Sequence, residues 1–286
     1  MKIKLLAISL MLVPGLAAAQ CSRCVAIYGD TRSDNAAHKQ VVDAMVKTSP
    51  ETVFHDGDMV ADSTDPAEWK AFAGIVAPLQ ARAELFPVIG NHELQGIENY
   101  FSFFGLAPEK RWYSVDRAGI HFVVLDVFSP YAKGSPQYAW LENDLKAQQA
   151  AAGSVIALTH VPFYSSGHHA GECAAVRNAL EPLLVKYGVK AVFSGHDHGY
   201  ERSFHSGIYY IVTGGGGAPL GKKTVSNQYS QFFLSAHNFV SISTVDGRIL
   251  IEALTTDLKV ADSFMISVSN GKPVERRAVD EAEEAD

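Results

Sequence analysis

Five short segments concentrate the residue types that bind metals and move protons. They are Gly29-Asp30-Thr31-Arg32, Gly57-Asp58-Met59-Val60, Gly90-Asn91-His92-Glu93, Thr159-His160-Val161-Pro162 and Gly195-His196-Asp197-His198. Asp30, Asp58, Asn91, His160, His196 and His198 offer carboxylate, amide and imidazole donors. Such a set suits Zn, Mn or Fe better than a soft metal that seeks thiolates. Any one segment is weak testimony: an Asp that ends a strand is often a turn or helix cap, and His196 and His198 alone would pass for surface imidazoles. Five in succession point to one shared cation site.

Each segment follows a short apolar run. Runs at 25–28, 52–55, 86–89, 121–127, 155–159 and 191–194 read as strands, with a further extended stretch at 112–115. Helical spacing is found over 35–48, from Pro66 onward, over 136–149 and over 174–187, where Gly188 is the stop signal. Later strands at 208–213, 239–244, 248–254 and 264–268 follow without helices between them, and Asp246-Gly247 marks a hairpin. This order predicts an α/β fold of two stacked mixed β-sheets flanked by helices. Ligands of open α/β sheets bind beyond the carboxyl ends of the strands, which is where all five segments lie.

The 286 residues are 47% hydrophobic and 19% charged, which excludes a disordered chain. A net charge of −7 gives no general attraction to nucleic acid. Lys2 and Lys4, an apolar run at 5–16 and Ala17-Ala18-Ala19 form a secretory signal peptide over residues 1–19. A periplasmic or secreted location is therefore expected, with a lipoprotein at Cys21 as the second reading. In that oxidising setting Cys21, Cys24 and Cys173 allow more than one disulfide pairing. One catalytic domain is expected over 20–270, followed by an acidic, disordered tail at 271–286. No later stretch is apolar and long enough to span a membrane. The oligomeric state is left open.

The order GD, GD, GNHE, H, GHDH resembles the calcineurin-like metallophosphoesterases. His160-Val161-Pro162-Phe163-Tyr164, the pair His168-His169 followed by Gly171-Glu172, and Gly195 through Arg202 resemble the purple acid phosphatase branch. The likeness runs from about Val25 to Gly217 and implies a four-layer αββα sandwich with two divalent or trivalent metal ions (Fe, Mn or Zn). It implies that Asp58 bridges the metals, that Asp30 and His198 bind the first, and that Asn91, His160 and His196 bind the second. The chemistry agrees: two cations about 3.5–4 Å apart need an anionic bridge and can hold a hydroxide in line with phosphorus. By the same likeness His92 donates a proton to the leaving group or orients the phosphate, as against a structural imidazole. His168 and His169 face the phosphate, or else belong to a surface loop.

Two positions depart from the family pattern. Arg32 stands where most members have a metal-binding His, and guanidinium has no acceptor with which to coordinate a cation. Ala61 stands where purple acid phosphatases place a tyrosinate, so their charge-transfer colour is not expected. The first metal site is accordingly the weaker one. Arg32 is left to contact the substrate phosphate or to pair with an acidic residue. The resulting expectation is an exported phosphoesterase acting on phosphomonoesters. The alternatives are a phosphodiesterase or nucleotide hydrolase with the same site, or a non-catalytic phosphate- or metal-binding protein.

Overall fold

The computed structural model describes residues 25–151 and 153–267. The expected signal peptide, Cys21, Cys24 and the expected acidic tail lie outside the described residues. Thirteen strands and five helices are found among the described residues: β1 (Val25–Tyr28), α1 (Asn35–Thr48), β2 (Thr52–His55), α2 (Pro66–Gln80), β3 (Glu84–Pro87), α3 (Ile97–Phe104), β4 (Tyr113–Arg117), β5 (Ile120–Val124), α4 (Pro136–Ala150), β6 (Ser154–Leu158), α5 (Cys173–Lys186), β7 (Ala191–Ser194), β8 (Tyr200–His205), β9 (Ile208–Thr213), β10 (Ser230–Leu234), β11 (Asn238–Val245), β12 (Arg248–Thr255) and β13 (Val260–Ser267).

The strands form two mixed sheets, ordered β13-β12-β11-β1-β2-β3 and β10-β8-β9-β7-β6-β5-β4. Their facing sides enclose one core, where Ile27 and Phe54 meet Phe122, Ile156 and Phe193. The outer face of the first sheet is covered by α1, α2 and α3 through Met45, Phe72 and Tyr100. The outer face of the second is covered by α4 and α5 through Leu141 and Leu180. Strands buried on both faces carry unbroken apolar runs, and β1 is such a strand, buried throughout. The result is the expected αββα sandwich.

Local chemistry explains the element ends. The Asp34 carboxylate accepts from Ala36 N and Ala37 N to start α1. Asp65 caps α2, with Pro66 in its first turn, and Ser135 and Pro136 do the same for α4.

Several expectations need correction. The strand expected at 86–89 is Glu84–Pro87, because its register on β2 pairs Thr52 with Glu84. The strand expected at 121–127 ends at Val124, and Asp126 N turns instead to Gln137 Oε1 at 2.8 Å. Helix α3 and strands β8 and β10 were not foreseen. The sequence of β8, Tyr-Glu-Arg-Ser-Phe-His, has no apolar pattern. Its polar groups are satisfied by tertiary partners instead: Arg202 Nε reaches Asp262 Oδ2 at 2.7 Å, and Tyr200 Oη donates to the same oxygen at 2.8 Å. Arg202 thus ties β8 to β13 across the two sheets, while Glu201 holds Ser166.

β1, β2 and β3 run parallel, as do β5, β6, β7 and β9. The segments that follow β1, β2, β3, β6 and β7 therefore leave along one edge of the sandwich and hydrogen-bond to one another. Asp30 N donates to Gly57 O at 2.9 Å, Thr31 N to Asp58 O at 3.0 Å and Gly195 N to His160 O at 3.1 Å.

Candidate metal centre

The backbone of this edge is unusual. Asp30, Asp58 and His196 adopt the left-handed region, with φ of 55°, 56° and 69°. Asp and His tolerate it better than most residues, and such strain concentrates at functional sites. Gly57 has φ of 104°, and a Cβ there would lie 2.5 Å from His160 Nδ1. Only glycine lets these two chains approach so closely.

His160, His196, Asn91 and Asp58 converge. His160 Nε2 lies 3.1 Å from Asn91 Oδ1, 3.2 Å from His196 Nδ1 and 3.4 Å from Asp58 Oδ1. The far nitrogens decide the tautomers. His160 Nδ1 donates to Asp56 O at 2.8 Å and His196 Nε2 to Glu172 Oε2 at 3.0 Å. The two inward nitrogens therefore present lone pairs. Burial, then the neighbouring imidazoles, pushes His196 down to about 4. Burial also lowers His160, against the pull of Asp58. Both rings are neutral near pH 7, the form in which an imidazole can take up a cation. Four inward acceptors with no proton among them repel one another unless a cation lies between them. A metal with ligands at about 2.0–2.2 Å places neighbouring ligand atoms about 3 Å apart, so this donor set fits one.

The other half differs. His198 Nδ1 donates to Pro219 O at 2.8 Å, so its Nε2 is an acceptor, 3.6 Å from Asp30 Oδ1. Asp30 Oδ1 is buried and without a hydrogen-bond partner. Into this half reaches Arg32. Its Nε lies 3.3 Å from Asp58 Oδ2 and its Nη2 3.4 Å from His198 Nε2. Burial would raise Asp58, but His160, the His92 amide and Arg32 together hold it below the usual carboxylate range. Burial, then repulsion from Asp58 and Asp56, holds Asp30 well above that range.

His92 sits on the rim, its side chain 27% exposed, with Nε2 3.8 Å from Asp58 Oδ2. Its Nδ1 donates to Ala61 O at 2.7 Å, which orients the ring. His169 comes to the rim as well, its ring 3.9 Å from that of His196 and its Nδ1 2.8 Å from Glu172 Oε1. His168 is exposed and meets His169 edge to face. Asp62 turns away and caps Thr64 at 2.9 Å.

Three acidic residues matter that the sequence reading did not single out as site residues. Glu93 is fully buried and accepts from Asp58 N, Met59 N and Gly90 N, which locks two of the loops together. Its place in Gly-Asn-His-Glu was the available signal. Asp56 lies between the sheets with both oxygens unpartnered. It crowds Gly29 and Gly195, where a Cβ would fall 1.4 Å and 2.7 Å from Asp56 Oδ1. Asp-Gly-Asp at the end of an apolar strand was its signal. Glu172 holds His169 and His196 at once. Partners that orient a ligand typically contribute about 10–100-fold to metal affinity, so Glu172→Ala should weaken metal binding by that factor in a titration. Unchanged affinity would remove Glu172 from the site.

Two of the other histidines, His38 and His55, pack beneath the centre. His38 is buried beside Tyr28. His55 Nε2 and Thr31 Oγ1 are 3.0 Å apart beneath the first loop.

Several known proteins resemble this chain. Purple acid phosphatase 15 of Arabidopsis thaliana is 33% identical over 190 residues, 59% of this chain and 34% of that protein. Phosphoenolpyruvate phosphatase of Allium cepa is 31% identical over 201 residues, 63% of this chain and 42% of that protein. The chain thus spans between about a third and a half of the length of these relatives. A purple acid phosphatase from yellow lupin seeds (Lupinus luteus) shares the fold, with a TM-score of 0.77 at 24% identity, covering 86% of this chain and 53% of that one. GAP50, described as the anchor in the inner membrane complex of Plasmodium, shares it with a TM-score of 0.73 at 21% identity, covering 88% and 90%. The chain also matches the calcineurin-like phosphoesterase family over residues 25–200, from the start of β1 to the start of β8. That stretch carries all five converging loops, and by it the chain belongs to the calcineurin-like phosphoesterase family.

Proposed function

We propose that the protein is an exported, metal-dependent phosphoesterase that hydrolyses phosphomonoesters. The observation that carries this reading is the convergence of four acceptor atoms from Asp58, Asn91, His160 and His196, with Arg32 and His92 on the open side. A cation held there supplies Lewis acidity toward a phosphoryl oxygen and an acidified water. The chain's own residues do the rest. Arg32 and His92 present N–H groups toward the position of a phosphate, where charge-assisted bonds are strong. His92, its ring fixed by the Nδ1–H bond to Ala61 O, delivers a proton from Nε2 to the departing alkoxide when the ring is in its imidazolium form, and is left as the neutral Nδ1–H imidazole. His169 bounds the leaving-group side, with the exposed His168 beyond it. A phosphomonoester dianion gains more from this cationic rim than a diester monoanion does, which favours the monoester.

The test compares an aryl phosphate with its bis-aryl diester on purified protein, stripped with a chelator and then resupplied with Mn(II) or Zn(II). Monoester turnover that vanishes with the chelator and returns with metal is the expected result. Faster diester turnover would assign the site to phosphodiesters. Metal binding without turnover of either ester would mean a binding protein.

A further inference from the structure

We propose that the Arg32 guanidinium takes the place of the first metal ion, so that the centre works with one metal and one fixed organic cation. The inference rests on the metallophosphoesterase reading above and revises its metal count.

Three acceptors would make up the first metal's side-chain set: Asp30 Oδ1, Asp58 Oδ2 and His198 Nε2. Arg32 already engages two of them, Asp58 Oδ2 through Nε at 3.3 Å and His198 Nε2 through Nη2 at 3.4 Å. His198 Nε2 has a single lone pair, and while it accepts an N–H it is not available to a metal; the Asp58 oxygen keeps a second lone pair but has the guanidinium against it. Guanidinium stays protonated and has no lone pair to offer in return. A divalent ion among these ligands would also sit against a permanent positive charge.

Among the described residues, neither Ala61 nor Asp62 restores the missing ligand. Ala61 contributes only backbone, and its oxygen is taken by His92 Nδ1 and its N–H by Glu68. The Asp62 carboxylate is bound to Thr64 N and Oγ1. The residues present therefore fit the second metal and do not fit the first.

Arg32 is anchored from below. Thr31 N donates to Asp58 O at 3.0 Å, Thr31 Oγ1 to Met59 O at 3.0 Å, and Ala218 N to Asp30 O at 2.8 Å. These bonds fix the Cα of Arg32 beside the site, and its side chain is 21% exposed. Its N–H groups serve Asp58, His198 and, at 3.5 Å, Ser33 Oγ. Of the five that a guanidinium carries, two are left for phosphoryl oxygens. The same group thus neutralises Asp58 and faces the substrate, as the first metal would.

The test counts metals without recourse to activity. Full-length protein is loaded with excess Mn(II), desalted, analysed for metal content and examined by electron paramagnetic resonance. Wild type should retain one Mn per chain with the spectrum of an isolated ion. Arg32→His should retain two, with the exchange-coupled spectrum of a bridged pair. Two retained ions, or a coupled spectrum, in wild type would overturn the inference while leaving the phosphoesterase reading intact. A single isolated Mn in a folded Arg32→His protein would also overturn it, because Arg32 would then not be what keeps the second ion out. No retained Mn in wild type, together with no monoester turnover, would overturn both. If Arg32→His fails to fold, Arg32→Ala replaces it and should show a second, weaker equivalent on Mn titration. Absence of that second equivalent counts against the inference.

Discussion

Asp58→Asn should remove most activity, with a fall of at least about 10²–10³ in kcat, the cost of losing one group that acts on developing charge in a dry site. Asp58 is the residue on which both halves of the centre depend. Its Oδ1 faces His160 Nε2 at 3.4 Å and accepts the His92 amide at 3.0 Å, while its Oδ2 faces Arg32 Nε at 3.3 Å. The amide keeps the shape and loses the charge. It leaves a metal without its anionic ligand and the guanidinium without its partner, and a buried charge stripped of its partner is costly. Asn is also at ease in the left-handed backbone of this position, φ 56°, so the fold should survive. The measurement pairs turnover with metal content and a melting curve, alongside Asn91→Ala and His160→Ala. Those two touch only the metal half and should lose less. Near-normal turnover in Asp58→Asn would end the assignment of this cluster as the active centre.

His92→Ala should lower turnover by about 10²–10⁴, the usual contribution of a positioned general acid, and should leave the metal in place. The separation follows from geometry. His92 Nε2 stands on the open side, 3.8 Å from Asp58 Oδ2, and the ring is not among the converging acceptors. The loss should shrink for nitrophenyl phosphate, whose leaving group needs little protonation, and grow for alkyl phosphates. An equal loss on both kinds of ester would assign His92 to phosphate orientation. A loss of bound metal would make it part of the metal's support.

Much of this molecule is legible in its residues. An Asp, Asn or His set directly after an apolar run is a chemical group at a strand end, whatever the rest of the chain does. That is why β1, β2, β6 and β7 and the segments after them can be read in order. Two kinds of strand separated by helices, then strands alone, leave few arrangements besides two stacked sheets. Elements whose stability comes from elsewhere are not legible in the same way. β8 shows no apolar alternation in its sequence, and it is held as a strand by pairing with β9 and β10, by burial of Tyr200, and by Asp262 of the other sheet, which satisfies Arg202 and Tyr200. Helix α3 begins after Gly96 without a side-chain cap and is held by the burial of Tyr100 and Phe101.

The same division runs through the centre itself. Residue types alone say that Asp30, Asp58, Asn91, His160, His196 and His198 can bind a cation and that Arg32 cannot. They do not say which nitrogen of each imidazole faces inward. That depends on where Asp56 O, Glu172 and Pro219 O lie, and those partners come from other loops. Nor do they say where Arg32 points. A long side chain can reach solvent, substrate or a carboxylate from one Cα, and only the meeting of two sheets placed Asp58 and His198, 26 and 166 residues away, on either side of its guanidinium. Local sequence specifies donors and backbone turns through short-range sterics and hydrogen bonding. The direction of a side chain, the tautomer of a ring and the number of cations a site can hold are set by contacts across the fold.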